Sequence, residues 1–374
     1  MSNPYKGKCT QDQVLKLTQD IEASFDDGDK VGTVLVDLTA AYDTVWHTGL
    51  KLKLLRLLPN KTMVLFIMEL ISNRSFVLQA GDQLSRLRRL TNGLPQGSVL
   101  APILFNIYTY DLPDTISKKY VYADDICLGV RGKQVEEISS TLSEDMDTLF
   151  SYFKKWRLIL SEKKTVSAFF HLNNKLADTM LDVYVEGRPL PFAPVPTYLG
   201  VKMDRSLTYH HHLESLKMKV ASRVALIRKL AGTTWGADAA TLRISVLALV
   251  FSTAEYCAPV WCRSSHTHLL DSELNRAMHI ITGCLKSTPT PMLYVLANVA
   301  PPSIRRDALV LKSAWKALAD PASLLHAVIA VPARSYRQLQ PPSRKSARLN
   351  LAPVLVVEQR LTSRKPFQRA AQAL

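Results

Sequence analysis

A chain of 374 residues, 47% of them hydrophobic, is long enough to bury two or three cores, which excludes a miniature stapled by disulfides. Lys and Arg number 47 against 32 Asp and Glu, a formal charge of +15 that suits a polyanionic partner and is equally compatible with a plain basic surface. Five scattered cysteines (Cys9, Cys127, Cys257, Cys262, Cys284), no apolar leader and no long apolar run point to a soluble intracellular protein, nuclear or cytoplasmic, with no membrane partner.

In chain order, residues 1–30 begin polar and then predict a helix, with Val14, Leu15, Leu17, Ile21 and Phe25 on one side and Asp26-Asp27-Gly28 as its stop. Val31 to Val36 is a β-branched run that suits a buried strand, and it ends at Asp37. Helices are expected over 49–58 and 62–71 with Pro59 between them, then a hairpin of strands 76–80 and 84–90 around Gly81-Asp82. Gly93 to Gly97 reads as a loop, and Ser98 as the start of an apolar helix reaching Ile116. Two half-strands flank Ala123-Asp124-Asp125, and Val135 to Trp156 is strongly amphipathic. Runs at 166–172, 181–185 and 197–201 predict further strands, so residues 31–204 form an α/β domain with strands and helices alternating.

After Asp204 the period becomes helical, with helices expected near 213–230, 242–256, 269–281 and 304–318 and a basic Pro/Arg-rich tail over 331–374. Cys257, Cys262, His266 and His268, with Cys284 beyond, fit no tight zinc knuckle. His210-His211-His212 reads as a solvated helix start.

The chemistry concentrates at Asp124-Asp125. Adjacent carboxylates between apolar half-strands repel, and a divalent cation relieves that conflict. On these residues alone, a surface Asp-Asp turn is an even alternative. Asp37, at the C-terminal end of its own strand and 87 positions earlier (124 minus 37), completes a three-carboxylate site if the strands are neighbours. Such a set can hold two metals roughly 4 Å apart, clamping both oxygens of an in-line phosphoryl displacement.

Three stretches carry a resemblance: Val36-Asp-Leu-Thr-Ala-Ala-Tyr-Asp43, Asn92-Gly-Leu-Pro-Gln-Gly-Ser-Val-Leu-Ala-Pro102 and Tyr122-Ala-Asp-Asp125. They occur in the order of the palm motifs of reverse transcriptases, and the chain most resembles those of jockey-like non-LTR retrotransposons. The resemblance implies an α+β polymerase palm with an antiparallel sheet and packed helices over 31–204, followed by a helical thumb and connection region over 205–330. It implies two Mg2+ ions, with Mn2+ as the alternative, on Asp37, Asp124 and Asp125. It also implies RNA template, DNA primer and deoxynucleoside triphosphates as partners; oligomeric state is left open.

Residue by residue, Tyr42 matches the steric gate against a ribose 2′-hydroxyl, an ordinary core aromatic being the alternative. Pro95, Gln96 and Gly97 match the loop beneath the templating base and incoming nucleotide. Lys164, in Lys163-Lys164-Thr165, matches a candidate acid for departing pyrophosphate, against a plain solvated lysine. Tyr198, Leu199 and Gly200 match the primer-grip hairpin, and Lys217, Lys219, Arg223, Arg228 and Lys229 are positioned in sequence to meet duplex phosphates.

The pattern departs from the family at its start. Only residues 1–36 precede Asp37, so residues 1–30 read as a remnant of the fingers, most of which is lacking together with an endonuclease domain. A 5′-truncated element copy or a late-starting gene model fits that reading. The competing expectation is therefore a catalytically weak or silent remnant that at most binds nucleic acid.

Overall fold

The computed structural model describes residues 9–232 and 235–326, so the basic segment expected from 331 lies outside the described residues. The chain divides into two compact units. One comprises Lys30–Phe169 and Lys175–Ala193; the other comprises the described parts of Met1–Asp29, Phe170–Asn174 and Pro194–Leu374.

The first unit is built on a four-stranded sheet of β1 (Lys30–Val36), β6 (Lys118–Tyr122), β7 (Asp125–Gly132) and β8 (Val166–Phe170) in the order β6-β7-β1-β8. β7 runs antiparallel to both β6 and β1. Six of the seven β1 residues are buried, as the β-branched run requires. Gly32 is obligatory there, because a Cβ would lie 2.3 Å from Ile138 Cγ2 and 2.9 Å from Leu181 Cδ1. Helix α5 (Val135–Lys155) packs on β1 and β7 through Ile138, Leu142, Met146, Leu149 and Phe153, all buried. Each such side chain contributes about 1.5–3 kcal/mol of burial, an upper estimate since the unfolded chain is itself partly compact. Helices α2 (His47–Leu57), α3 (Lys61–Ile71) and α4 (Leu100–Tyr108) join the same core through Leu50, Leu54, Val64, Leu104 and Phe105.

Several boundaries differ from expectation. The hairpin is broken into β2 (Arg74–Phe76) paired with β5 (Arg88–Leu90), and β3 (Gln79–Ala80) paired with β4 (Gln83–Leu84). Ser85 interrupts the ladder, its backbone donating to Leu78 O while its Oγ accepts from Leu78 N, both at 2.8 Å. Helix α4 stops at Tyr108, eight residues short of Ile116 (116 minus 108). Lys53 and Tyr152 both donate to the Tyr108 carbonyl, at 2.5 and 3.2 Å, and Pro113 bars Leu112 from helical geometry. The 181–185 run keeps only Tyr184–Val185 as strand β9, paired with β10 (Arg188–Pro189).

In the second unit, α1 (Thr10–Asp26) belongs with the C-terminal helices. Gln11 donates to Ser313 Oγ at 2.6 Å, Lys316 meets Asp12 at 2.8 Å, and the hydroxyls of Thr18 and Tyr209 lie 3.2 Å apart. The expected strand 197–201 is a tight hairpin, β11 (Thr197–Tyr198) and β12 (Val201–Lys202), turned by Leu199 at φ 46° and Gly200 at φ 81°. Helices α6 (His210–Leu230), α7 (Ala239–Ser245), α8 (Ser252–Ala254), α9 (Ala258–Trp261), α10 (His268–Thr282), α11 (Thr290–Leu296) and α12 (Pro302–Ala319) follow. A π-helical stretch, Val246–Phe251, joins α7 to α8 within the single helix expected at 242–256. His212 departs from the solvated helix start expected of it. It is buried beside Trp261, accepts from Lys202 N at 3.3 Å, and burial lowers its pKa to about 4. No described helix is long and apolar enough to cross a membrane.

Candidate functional site

The register of the sheet builds the site. Val36 pairs with Ile126 across β1 and β7, so the next step along both strands sets Asp37 beside Asp125. Tyr122 pairs with Asp125, which closes β6 and β7 with a two-residue turn of Ala123 and Asp124. Ala123 adopts φ 54°, the left-handed conformation such a turn demands. Three carboxylates therefore occupy one edge of the sheet.

Their electrostatics are mutual. Burial raises the Asp125 pKa, and the charges of Asp124 and Asp37 raise it further, although its solvent exposure mutes both effects. Burial also raises the Tyr42 hydroxyl, followed by the charges of Asp124 and Tyr122, which puts that ring within the field of the same edge. Hard oxygen donors in mutual repulsion suit divalent cations of the magnesium type, so the donor set fits that group. Among the described residues, potential ligand atoms all within 4.8 Å of one another occur at His210, His211 and Glu214 rather than at the three aspartates.

A second segment is tied to the Asp37 strand end. Asp37 N donates to Thr165 Oγ1 at 3.2 Å, and Ser161 N donates to Asp37 O at 2.8 Å. The turn so anchored carries Lys164, whose Nζ lies 3.8 Å from Asp37 Oδ2. Both groups are exposed enough, at 74% and 37%, that the pair contributes at most about 1 kcal/mol to stability.

The loop 92–98 is fitted against the segment after Asp37. Leu94 N donates to Tyr42 O and Gly93 N to Val45 O, each at 2.8 Å. Gly93 has φ 83°, and a Cβ there would stand 2.6 Å from Asp43 O, so no other residue fits without displacement. Gln96 donates to both Asp43 carboxylate oxygens at 3.0 and 3.1 Å. Pro95 O accepts from Ser98 N at 3.1 Å, and Gly97, at φ 85°, faces open space. The Tyr42 ring is braced by buried Phe105, stacked at 4.7 Å and 20°.

Sequence reasoning assigned no role to four supporting residues: Asp43, His47, Arg74 and Thr165. Asp43 lies inside a quoted motif stretch, His47 four residues beyond its end, and Thr165 follows Lys164, so position was their available signal. Arg74 gave none, yet its guanidinium donates to Asn92 O at 2.9 Å and Gly93 O at 2.5 Å, while His47 Nε2 meets the same Gly93 carbonyl at 2.7 Å. Arg74→Ala is expected to cost about 1–2 kcal/mol, read as a lower urea midpoint with unchanged slope. A midpoint equal to wild type would show that the clamp does not hold the loop.

In the helical unit, Tyr198 is 2% exposed, and Leu199 O accepts from the Tyr256 hydroxyl at 2.7 Å. Along α6, Lys219, Arg223, Arg228 and Lys229 are exposed and Lys217 half-buried, while Leu213, Leu216, Val220, Val224 and Ile227 form the buried stripe.

Residues 2–203 match the family described as reverse transcriptase (RNA-dependent DNA polymerase). The probable RNA-directed DNA polymerase from transposon BS of Drosophila melanogaster is 30% identical over 293 residues, covering 75% of this chain and 32% of that protein. The corresponding polymerase from the transposon X-element of the same organism is 24% identical over 286 residues, 74% of this chain and 31% of that one. The chain thus spans about a third of the length of these relatives. Apo telomerase from Candida tropicalis aligns over 86% of this chain and 56% of its own at TM-score 0.37 and 13% identity, too slight a likeness to argue from.

Proposed function

Because the chain belongs to the reverse transcriptase (RNA-dependent DNA polymerase) family, we propose that it is the polymerase portion of a jockey-like non-LTR element, extending a DNA primer on an RNA template. The observation that carries the reading is the β1–β7 register, which sets Asp37 beside the Asp124-Asp125 turn.

In this reading residues 31–204 supply the palm, and the helices that follow supply the thumb and connection. Asp37, Asp124 and Asp125 offer acceptor oxygens to two Mg2+ ions. When bound, such ions lower the pKa of a primer 3′-hydroxyl and neutralise departing pyrophosphate. Apart from one proton transfer, the remaining work is positional. Tyr42, held by Phe105 and by the Leu94 backbone, fills the space a ribose 2′-hydroxyl needs. Pro95, Gln96 and Gly97 form the floor for the base pair, and Asp43 fixes the Gln96 amide. Lys164, beside Asp37, is the proton donor to the leaving pyrophosphate. The Tyr198-Leu199-Gly200 hairpin holds the primer end through its backbone, and the exposed cations of α6 meet duplex phosphates without reading sequence.

Primer extension on an RNA template with magnesium and deoxynucleoside triphosphates tests the proposal. Template-dependent incorporation is expected; salt-dependent RNA binding with no incorporation would leave a binding protein in its place. Tyr42→Ala is expected to lower discrimination against ribonucleotides about 10- to 100-fold, since overlap with a packed ring is worth about 1–3 kcal/mol. Unchanged ratios of kcat/KM for the two nucleotide classes would return Tyr42 to the role of core aromatic.

A further inference from the structure

The start of α6 presents a second ligand set of different chemistry. His210, His211 and Glu214 stand at positions i, i+1 and i+4 of the helix, all on its accessible side. His210 Nε2 lies 3.5 Å from Glu214 Oε1 and His211 Nδ1 3.9 Å from Glu214 Oε2, with candidate ligand atoms of all three within 4.8 Å of one another. Donors bound tetrahedrally at about 2.0–2.1 Å from zinc stand roughly 3.3 Å apart, so a small contraction of side chains closes the site.

The backbone beneath these side chains is fixed before any ligand arrives. The Asp204 carboxylate accepts from Thr208 N at 3.0 Å and Tyr209 N at 2.7 Å, and Tyr209 enters the helix at φ 60°. Ser264 Oγ donates to Thr208 O at 2.6 Å, which brings the loop after α9 against the helix start. From that loop His266 packs edge-on against His210, ring centroids 4.6 Å apart, restricting how the His210 ring can turn. The neighbouring His212 is turned into the core instead, so the three consecutive histidines divide into two accessible rings and one packing residue.

We propose that His210, His211 and Glu214 form a binding site for a divalent transition ion of the zinc class, with water completing the coordination. Two imidazoles and one carboxylate favour zinc over magnesium, which keeps to oxygen donors. The ion ties the first turn of α6 to itself. Because the site depends on none of the sheet-edge carboxylates, its test reads independently of polymerase activity.

The experiment uses the full chain free of any polyhistidine tag, titrated with Zn2+ by calorimetry in excess Mg2+, and with Co2+ by visible absorption. One-to-one saturable Zn2+ binding is expected, with a tetrahedral Co2+ band. Glu214→Gln and His211→Ala should each weaken it about tenfold or more. His268→Ala, outside the ligand set, should leave it unchanged. Absence of stoichiometric Zn2+ binding by the wild type would overturn the site, as would wild-type affinity in both ligand variants. All three substituted side chains are exposed, so the variants are expected to fold, and equal far-UV spectra verify that.

Discussion

Asp124→Asn is expected to lower primer extension by roughly 10²–10³-fold or more while leaving the protein at least as stable as wild type. The substitution keeps the volume and removes one charge from an edge where three carboxylates act on one another. Two neighbours report that charge: Asp125 and Tyr42 are both held above their ordinary pKa partly by Asp124. Deleting it therefore removes repulsion that the folded chain bears when no cation is bound. A residue needed only for folding would behave in the opposite way, losing activity and thermal stability together. Thermal melts in chelator and single-nucleotide incorporation in magnesium separate the two; full activity, or activity lost in proportion to unfolding, would sink the assignment.

The same logic gives a pH dependence. Asp125 has a raised pKa in the folded state, so its contribution favours folding at low pH and is lost as pH rises through that raised value. In chelator, Asp125→Asn should flatten this part of the stability–pH profile, whereas a profile identical to wild type would show that the three charges do not interact.

What could be read from the sequence, and what could not, follows from the range of the interactions. The β-branched run ending at Asp37 and the apolar steps of α5 are local signals, and β1 and α5 appear within a residue or so of expectation. The carboxylate edge was also legible, because a strand ending in Asp and a strand-Asp-Asp-strand unit need only pair to converge. Helix α4 was misjudged in part because Lys53, 55 residues from Tyr108 in sequence, holds its last carbonyl, although Pro113 was a local signal against a helix reaching Ile116. The role of Arg74 was invisible for a similar reason, its acceptors lying 18 and 19 residues away in a loop with no charge to attract attention. His212 looked like its two neighbours in the sequence; a helix turns about 100° per residue, and that rotation alone put it in the core.

Lys53 supplies the largest expected effect on stability. Its side chain is fully buried, yet Nζ is surrounded: it donates to Tyr108 O, to the Tyr152 hydroxyl at 2.7 Å and to the Asp111 carboxylate, and lies 3.7 Å from the Trp156 ring centroid. The two partners of the ion pair disagree about its worth. Burial lowers Lys53 to about 8 against the opposing pull of Asp111, which marks a net cost for the buried ammonium. Burial raises Asp111, but hydrogen bonds from Lys53 and Tyr152 outweigh it and hold the carboxyl below its usual value. The asymmetry follows from exposure, 0% for the lysine side chain against 28% for the aspartate, so the lysine carries the desolvation and the aspartate the gain.

Lys53→Ala leaves a cavity and the Asp111 carboxylate without its cation, and should cost about 3–5 kcal/mol. Lys53→Met fills the volume, removes the desolvation cost and should cost less, about 1–3 kcal/mol. Between the folded value near 8 and the ordinary 10.5, the unfolded chain binds more protons at this position, so wild-type stability from Lys53 rises with pH across that window. Lys53→Met should lack that rise. Urea denaturation at pH 7.5 and pH 9.5 would measure both effects, these two values being chosen to lie on about either side of the folded pKa. A Lys53→Ala variant within 1 kcal/mol of wild type would mean that the aromatic packing around Trp156, rather than the ammonium, joins α2 to the ends of α4 and α5.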